Sequence, residues 1–202
     1  MKFWKKRFGA SQPAEACGAQ ADLADAAART QAAQDFDVFI ALLTGALAED
    51  GARRIRQVAR TAWQARAAED AAAGSFAPVD AYQVLQEVAA GEGGQRPGQW
   101  LLIHLDWKET DEIGWQVADI LAQRNVPPTW QGIDGEFDSV PAAFAHLAQW
   151  LHQRGLALLD IETDADEYCA FIVDAAQVAH ARQLAEAARL TVYGAEEFAA
   201  HN

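Results

Sequence analysis

Five side chains have the types and spacing that could do chemistry. His104 and Asp106 sit two apart in "WLLIHLDW" (100–107), Asp160 and Glu162 two apart in "LALLDIET" (156–163), and Tyr168 opens "YCAFIVD" (168–174). A spacing of two is the repeat of a β-strand, which sends alternate side chains to one face. If these stretches are neighbouring strands, His104, Asp106, Asp160, Glu162 and Tyr168 gather on one open sheet face. Clustered carboxylates raise one another's pKa, and with a histidine they could serve as acid and base in a hydrolase or hold a divalent ion. The competing reading is that N-terminal helices cover this face and its polar groups bond across the interface. We favour the latter, because no catalytic motif supports the former. No metal site and no cofactor are expected.

The searches for other motifs are negative. There is no Gly-rich phosphate loop, no H-E-x-x-H, no G-x-S-x-G and no pair of C-x-x-C. "DADE" between the last two stretches lacks the Gly and the final Glu of a calcium loop and reads as a hairpin turn.

The elements that must position these residues follow from hydrophobic spacing. Residues 1–19 read as a flexible tail and 20–92 as a helical, alanine-rich region. There, Phe36, Phe39, Ile40, Leu43 and Leu47 form one stripe, with Asp35 as the expected N-cap and Gly51 as the stop. Helices are expected over about 52–72 and 79–90, the first with Arg53, Arg56 and Arg60 in a row. "GEGGQRPG" (91–98) is a linker or tight loop. Residues 98–202 form an α/β sandwich domain. Its strand at 100–107 turns Leu101, Ile103, Leu105 and Trp107 inward, and helices follow at 111–124, capped by Thr110, and at 140–154. Next come strands at 156–163 and 168–174, a helix at 175–189 with Asp174 and Gln177 as a capping box, and a short strand at 190–193. The fold class is α+β: an N-terminal helical region packed with a ferredoxin-like domain, β-α-β-β-α-β with one extra helix.

Charge is divided unevenly. The chain of 202 residues has a net charge of −13. Residues 1–97 hold 11 basic and 12 acidic side chains, and residues 98–202 hold 5 and 17. An acidic half of this kind excludes nucleic acid as a partner, which needs clustered Lys and Arg. It suits a basic protein partner whose approach is steered by charge. The basic, aromatic segment "MKFWKKRFG" at 1–9 could make weak membrane-surface contact. No apolar stretch follows it, so it does not read as a secretory signal. Two cysteines, Cys17 and Cys169, far apart, fit a reducing cytoplasmic setting.

Tryptophan beside acids marks an interaction surface. Trp115 projects away from the Ile113, Val117 and Ile120 stripe of its helix. Trp130 begins the acidic loop with Asp134, Glu136 and Asp138. These five are the expected partner-binding residues.

"WLLIHLDWKETDEIGWQV" together with "VPAAFAHLAQWLHQRGLALLDIETDADEYCAFIV" resembles a family of uncharacterised bacterial proteins, a domain of unknown function. Members share D-W-K-E-x-D-E-I-x-W, W-L-x-x-x-G-x-x-L-L-x-I-x-T and D-x-Y-x-x-F-I-V. The likeness covers about 98–175 and supplies no activity. The reading that results is a non-catalytic, acidic protein-interaction module: an inhibitor, regulator or immunity-like protein. A hydrolase or metal-dependent enzyme, and a membrane-surface adaptor, are the alternatives.

Overall fold

The computed structural model describes residues 15–74, 79–130 and 137–201, with side chains over 25–200 of these. The basic segment 1–9 and the acids Asp134 and Glu136 therefore lie outside the described residues.

Helix α1 spans Glu15–Leu43 and buries Phe36, Phe39, Ile40 and Leu43, four of the five residues of the expected stripe; the fifth, Leu47, lies beyond the helix in extended backbone and is half-buried. It does not begin at Asp35. The alanine-rich sequence upstream continues the helix, and Asp35 instead accepts a hydrogen bond from Gln31 Nε2, 2.9 Å away. A 3₁₀ turn at Thr44–Ala46 ends it, with the Thr44 hydroxyl donating to the Ile40 carbonyl at 2.8 Å. Helix α2, Glu49–Ala72, then starts, so Gly51 is not a stop. It lies in the first turn, where the Gln99 side chain comes within 3.0 Å of the place a Cβ would take. The arginine row on α2 is engaged locally: Arg53 with Glu49 and Asp50, Arg56 with the Thr44 hydroxyl, Arg60 with Asp37. Helix α3, Ala81–Ala90, is N-capped by Asp80, which accepts from the amides of Tyr82 and Gln83.

Four strands follow: β1 (Leu102–Asp106), β2 (Leu156–Ile161), β3 (Glu167–Asp174) and β4 (Val192–Tyr193). Helices α4 (Ile113–Gln123) and α5 (Val140–His152) join β1 to β2. Helix α6 (Val178–Ala187) joins β3 to β4, and α7 (Ala195–His201) closes the described chain. Ser139 caps α5. Thr110 and Asp174 make no cap bond, because each leads into a 3₁₀ turn rather than directly into an α-helix. Asp174 pairs with Arg124 at 3.6 Å instead.

The sheet is antiparallel in the order β1-β3-β2-β4. The class is α+β, but the ferredoxin-like order is not reproduced. The β1-α-β2 unit with β3 inserted is present. The last strand joins the β2 edge, whereas the ferredoxin-like arrangement places it beside β1. That one exchange has a large effect. A right-handed β3-α6-β4 crossover that moves toward β2 instead of β1 must put its helix on the other face of the sheet. Accordingly Ala181 and Ala185 of α6 join α1, α2 and α3 in one core with Leu102, Leu159, Ile161, Cys169, Phe171 and Val173. Helices α4 and α5 form the second core with Ile103, Leu105, Leu158, Ala170 and Ile172. Both faces of the sheet are buried.

β1 is an edge strand, and side-chain amides cover its outer backbone. Gln95 Oε1 accepts from the amides of Leu101 and Leu102, both at 3.0 Å, and its Nε2 donates to the Leu102 carbonyl at 2.9 Å. Gln116, on α4, accepts from the His104 amide and donates to the His104 carbonyl. Just before the strand, Asp119 accepts from the amides of Gly98 and Trp100, and Gln123 donates to the Trp100 carbonyl. The "GEGGQRPG" loop is held by Arg54 of α2, whose guanidinium reaches Gln99 Oε1 and the carbonyls of Gly93 and Gly94.

Candidate functional site

The pairing register separates the five candidate residues. His104 stands opposite Cys169, and Asp106 opposite Glu167, on the face toward α3. Leu105 stands opposite Tyr168, and Asp160 opposite Ala170, on the face toward α4 and α5. The two sets thus point to opposite sides. The expectation of one shared face came from assigning Ile103 and Leu105 to the same layer as Leu159 and Ile161; they belong to the other one.

Asp106 has a structural task. Its Oδ1 accepts from the Lys108 amide at 3.1 Å, and its own amide donates to Glu109 Oε2. This turn ends β1, so Trp107 is not inward-facing: it is 51% exposed, with Lys108 Nζ 4.4 Å from its ring centre. His104 Nε2 lies 3.1 Å from Glu167 Oε2. The other oxygen of Glu167 accepts from the Tyr82 hydroxyl and from Gln86 Nε2, both at 2.8 Å. One carboxylate, which no spacing or motif singles out, thus ties α3 to β1 and β3. Burial, the Cys169 thiol and Glu167 push the Tyr82 phenol far above its ordinary value, so the tyrosine stays a proton donor.

Asp160, Glu162 and Tyr168 do share a site. They line an open cleft of about 590 Å³ where the β2–β3 hairpin meets β4, together with Trp107, Asp164, Asp166, Glu167, Tyr193 and Phe198. The hairpin is shaped by Asp164, whose φ of 52° is left-handed, and by Thr163, whose hydroxyl donates to the Glu167 carbonyl at 2.8 Å. Tyr168 packs against Phe144 and Phe198, with ring centres 6.0 Å apart in both cases. The lining includes Asp160, Glu162, Asp164 and Asp166, and among the described residues no basic side chain; Glu167 also borders it, but its carboxylate is bound to Tyr82, Gln86 and His104. Among the described residues, no group of three or more His, Cys, Asp or Glu is placed to hold a metal ion.

Asp160 is the unusual member. It is 7% exposed, and its Oδ1 has no hydrogen-bond partner among the described residues. Burial first, then the charge of Glu162, pushes its carboxyl up to about 7. Burial, Asp160 and Asp166 push the Tyr168 phenol upward as well.

The residues expected to bind a partner are split. Trp115 is 44% exposed, rests edge-on against Trp100 at 4.6 Å, and donates its indole N–H to Glu112. Trp130 is not an exposed anchor. It is 2% exposed, stacked on Phe137 at 5.8 Å, and donates to His146 Nδ1 at 2.9 Å. With an aromatic partner and an acceptor both at hand, burial is the favourable place for an indole. Asp138 is exposed. No helix of the described residues is long and apolar enough to cross a membrane.

The protein is thus an α+β chain with one antiparallel sheet between two helical layers and an acidic, aromatic-walled cleft at one end of its central hairpin. It belongs to the family defined by the domain of unknown function DUF6630, whose model matches residues 21–195 and so takes in the N-terminal helices as well as the sheet. No curated protein and no solved structure matches the chain.

Proposed function

We propose that this chain works by binding rather than by catalysis, as an acidic cytoplasmic module that docks a basic protein partner in an inhibitory, regulatory or immunity-like role. One observation carries the reading: the hairpin cleft is lined by Asp160, Glu162, Asp164 and Asp166, with no basic side chain of the described residues to offset them. Such a site gathers field lines and speeds the approach of a cationic surface. The enzymatic alternative is left with Asp160, Glu162 and Tyr168, because His104 and Asp106 face the other way.

The test compares the native protein with a Glu162→Gln, Asp164→Asn, Asp166→Asn variant in binding to arginine- and lysine-rich peptides at low and high salt. Binding that is strong at low salt, weakened by salt and lost in the triple variant supports the module. Equal binding by the two proteins, or none at low salt, overturns it.

A further inference from the structure

We propose that the cleft is a seat for a single arginine side chain of the partner, with its guanidinium on Asp160 and its plane against Tyr168 and Tyr193. This rests on the acidic-module reading and names the group that the module grips.

The argument starts from Asp160. It lies on β2, directly opposite Ala170 of β3 and Tyr193 of β4, with almost all its surface covered. Its Oδ1 is a buried acceptor that no donor among the described residues satisfies. Leaving such an oxygen unpaired is unfavourable, so a fold that retains it does so against a stability gradient. Among the described residues, the lining of the cleft holds no Lys, Arg or His that could serve as a cationic donor. Two cations that neighbour the lining residues are engaged elsewhere: Lys108 lies over Trp107, and Arg182 is bound to Glu197 and to the Val192 carbonyl. A partner's cation is the donor that would complete the site.

The walls say which donor. Tyr168, Tyr193, Phe198 and Trp107 give the cleft aromatic sides above a carboxylate floor. A guanidinium is planar, weakly hydrated and stacks on aromatic rings while donating two parallel N–H bonds to a carboxylate. An ammonium is a compact, strongly hydrated charge with no plane to stack. The cleft sits at the hairpin end of the sheet, flanked by the exposed Trp107, where a partner's surface could lie across it.

The experiment is an NMR titration of the ¹⁵N-labelled full chain with N-acetyl-arginine methylamide, its lysine counterpart and its uncharged citrulline counterpart. A short arginine-containing peptide and free arginine separate a partner's side chain from the amino acid itself. The expected result is a set of shifts centred on Asp160, Tyr168 and Tyr193, with the arginine forms binding at least about tenfold more tightly than citrulline or lysine, a difference of about 1.4 kcal/mol. The peptide should bind more tightly than free arginine. Asp160→Asn should lose at least about tenfold in affinity, and the Asp160 carboxyl, followed by ¹³C, should titrate at lower pH when the site is saturated. Asp160→Asn keeps the side-chain volume and removes a buried charge, so its melting temperature shows whether it folds.

Equal binding of citrulline, lysine or free arginine, or undiminished binding by folded Asp160→Asn, overturns the arginine seat. If arginine-rich peptides bind Asp160→Asn as well as the native chain, yet fail with the hairpin triple variant, the acidic module stands and the seat alone falls. If no basic peptide binds at low salt, both fall.

Discussion

The side-chain amide of Gln116 holds both backbone groups of His104, accepting from its N–H at 2.9 Å and donating to its C=O at 3.2 Å. A side chain from α4 thereby acts as a surrogate neighbouring strand for β1. Gln116→Leu keeps the bulk of the residue but leaves two partly covered backbone groups and the Trp100 indole N–H without their partner. We expect a loss of about 2–4 kcal/mol, read as a lower urea midpoint with unchanged slope.

Asp160 makes stability depend on pH in a definite direction. Its carboxyl rises from an ordinary 3.8 to about 7 in the fold. Below pH 4 it is protonated in both folded and unfolded chains, and the neutral form fits the buried site. Between pH 4 and 7 the unfolded chain releases its proton while the folded chain keeps it, so stability falls as pH rises. The full change is on the order of 4 kcal/mol by linkage. Asp160→Asn should be more stable than the native chain at pH 8 and should flatten the slope across this window, which denaturation at a series of pH values measures. A slope unchanged by the substitution would refute the assignment.

The tryptophans should divide into two energetic classes. Trp130→Ala removes a ring stacked on Phe137 and bonded to His146, and should cost about 3–5 kcal/mol. Trp115→Ala removes a half-exposed ring whose main contact is Trp100, and should cost about 1 kcal/mol. Iodide quenching of single-tryptophan variants should reach Trp107 and Trp115 readily and Trp130 hardly at all.

Glu167 fastens α3 to the sheet through Tyr82, Gln86 and His104. Glu167→Ala strands a half-buried phenol and an amide donor and should cost about 2–3 kcal/mol. The effect should be local first: amide hydrogens of α3 should exchange faster than those of β2 and β3, as expected when a unit loses its anchoring contacts.

Much of this architecture was legible because spacing alone dictates it. The stripe Phe36, Phe39, Ile40 and Leu43 and the stripe Ile113, Val117 and Ile120 fall on the buried faces of real helices. The hairpin at "DADE" is where the alternation placed it. What failed was whatever depends on which side of a sheet is up. Fully buried strands such as "LLIHL" carry apolar residues on both faces, so nothing local distinguishes the layer of Leu102 and His104 from that of Ile103 and Leu105. The candidate set was therefore joined across two faces. The position of β4 is equally silent, since two residues of strand specify no edge. Terminators misled for a related reason: Asp35 and Gly51 have end-of-helix chemistry, but alanine-rich neighbours and the close approach of Gln99 gave them other uses. Helix α7 went unnoticed because seven residues are too few to show a period.

The glutamines along β1 have a counterpart at the far margin, where β4 is only two residues long and Arg182 occupies the Val192 carbonyl. Among the described residues, β1 with its outer backbone bonded and a β4 of two residues present little template on which a foreign backbone could be laid. Gln95, Gln116 and Arg182 thereby occupy edge groups that edge-to-edge pairing would use. Recognition of other molecules is left to what projects from the surface, which is why its specificity is to be sought in individual residues rather than in added ladders.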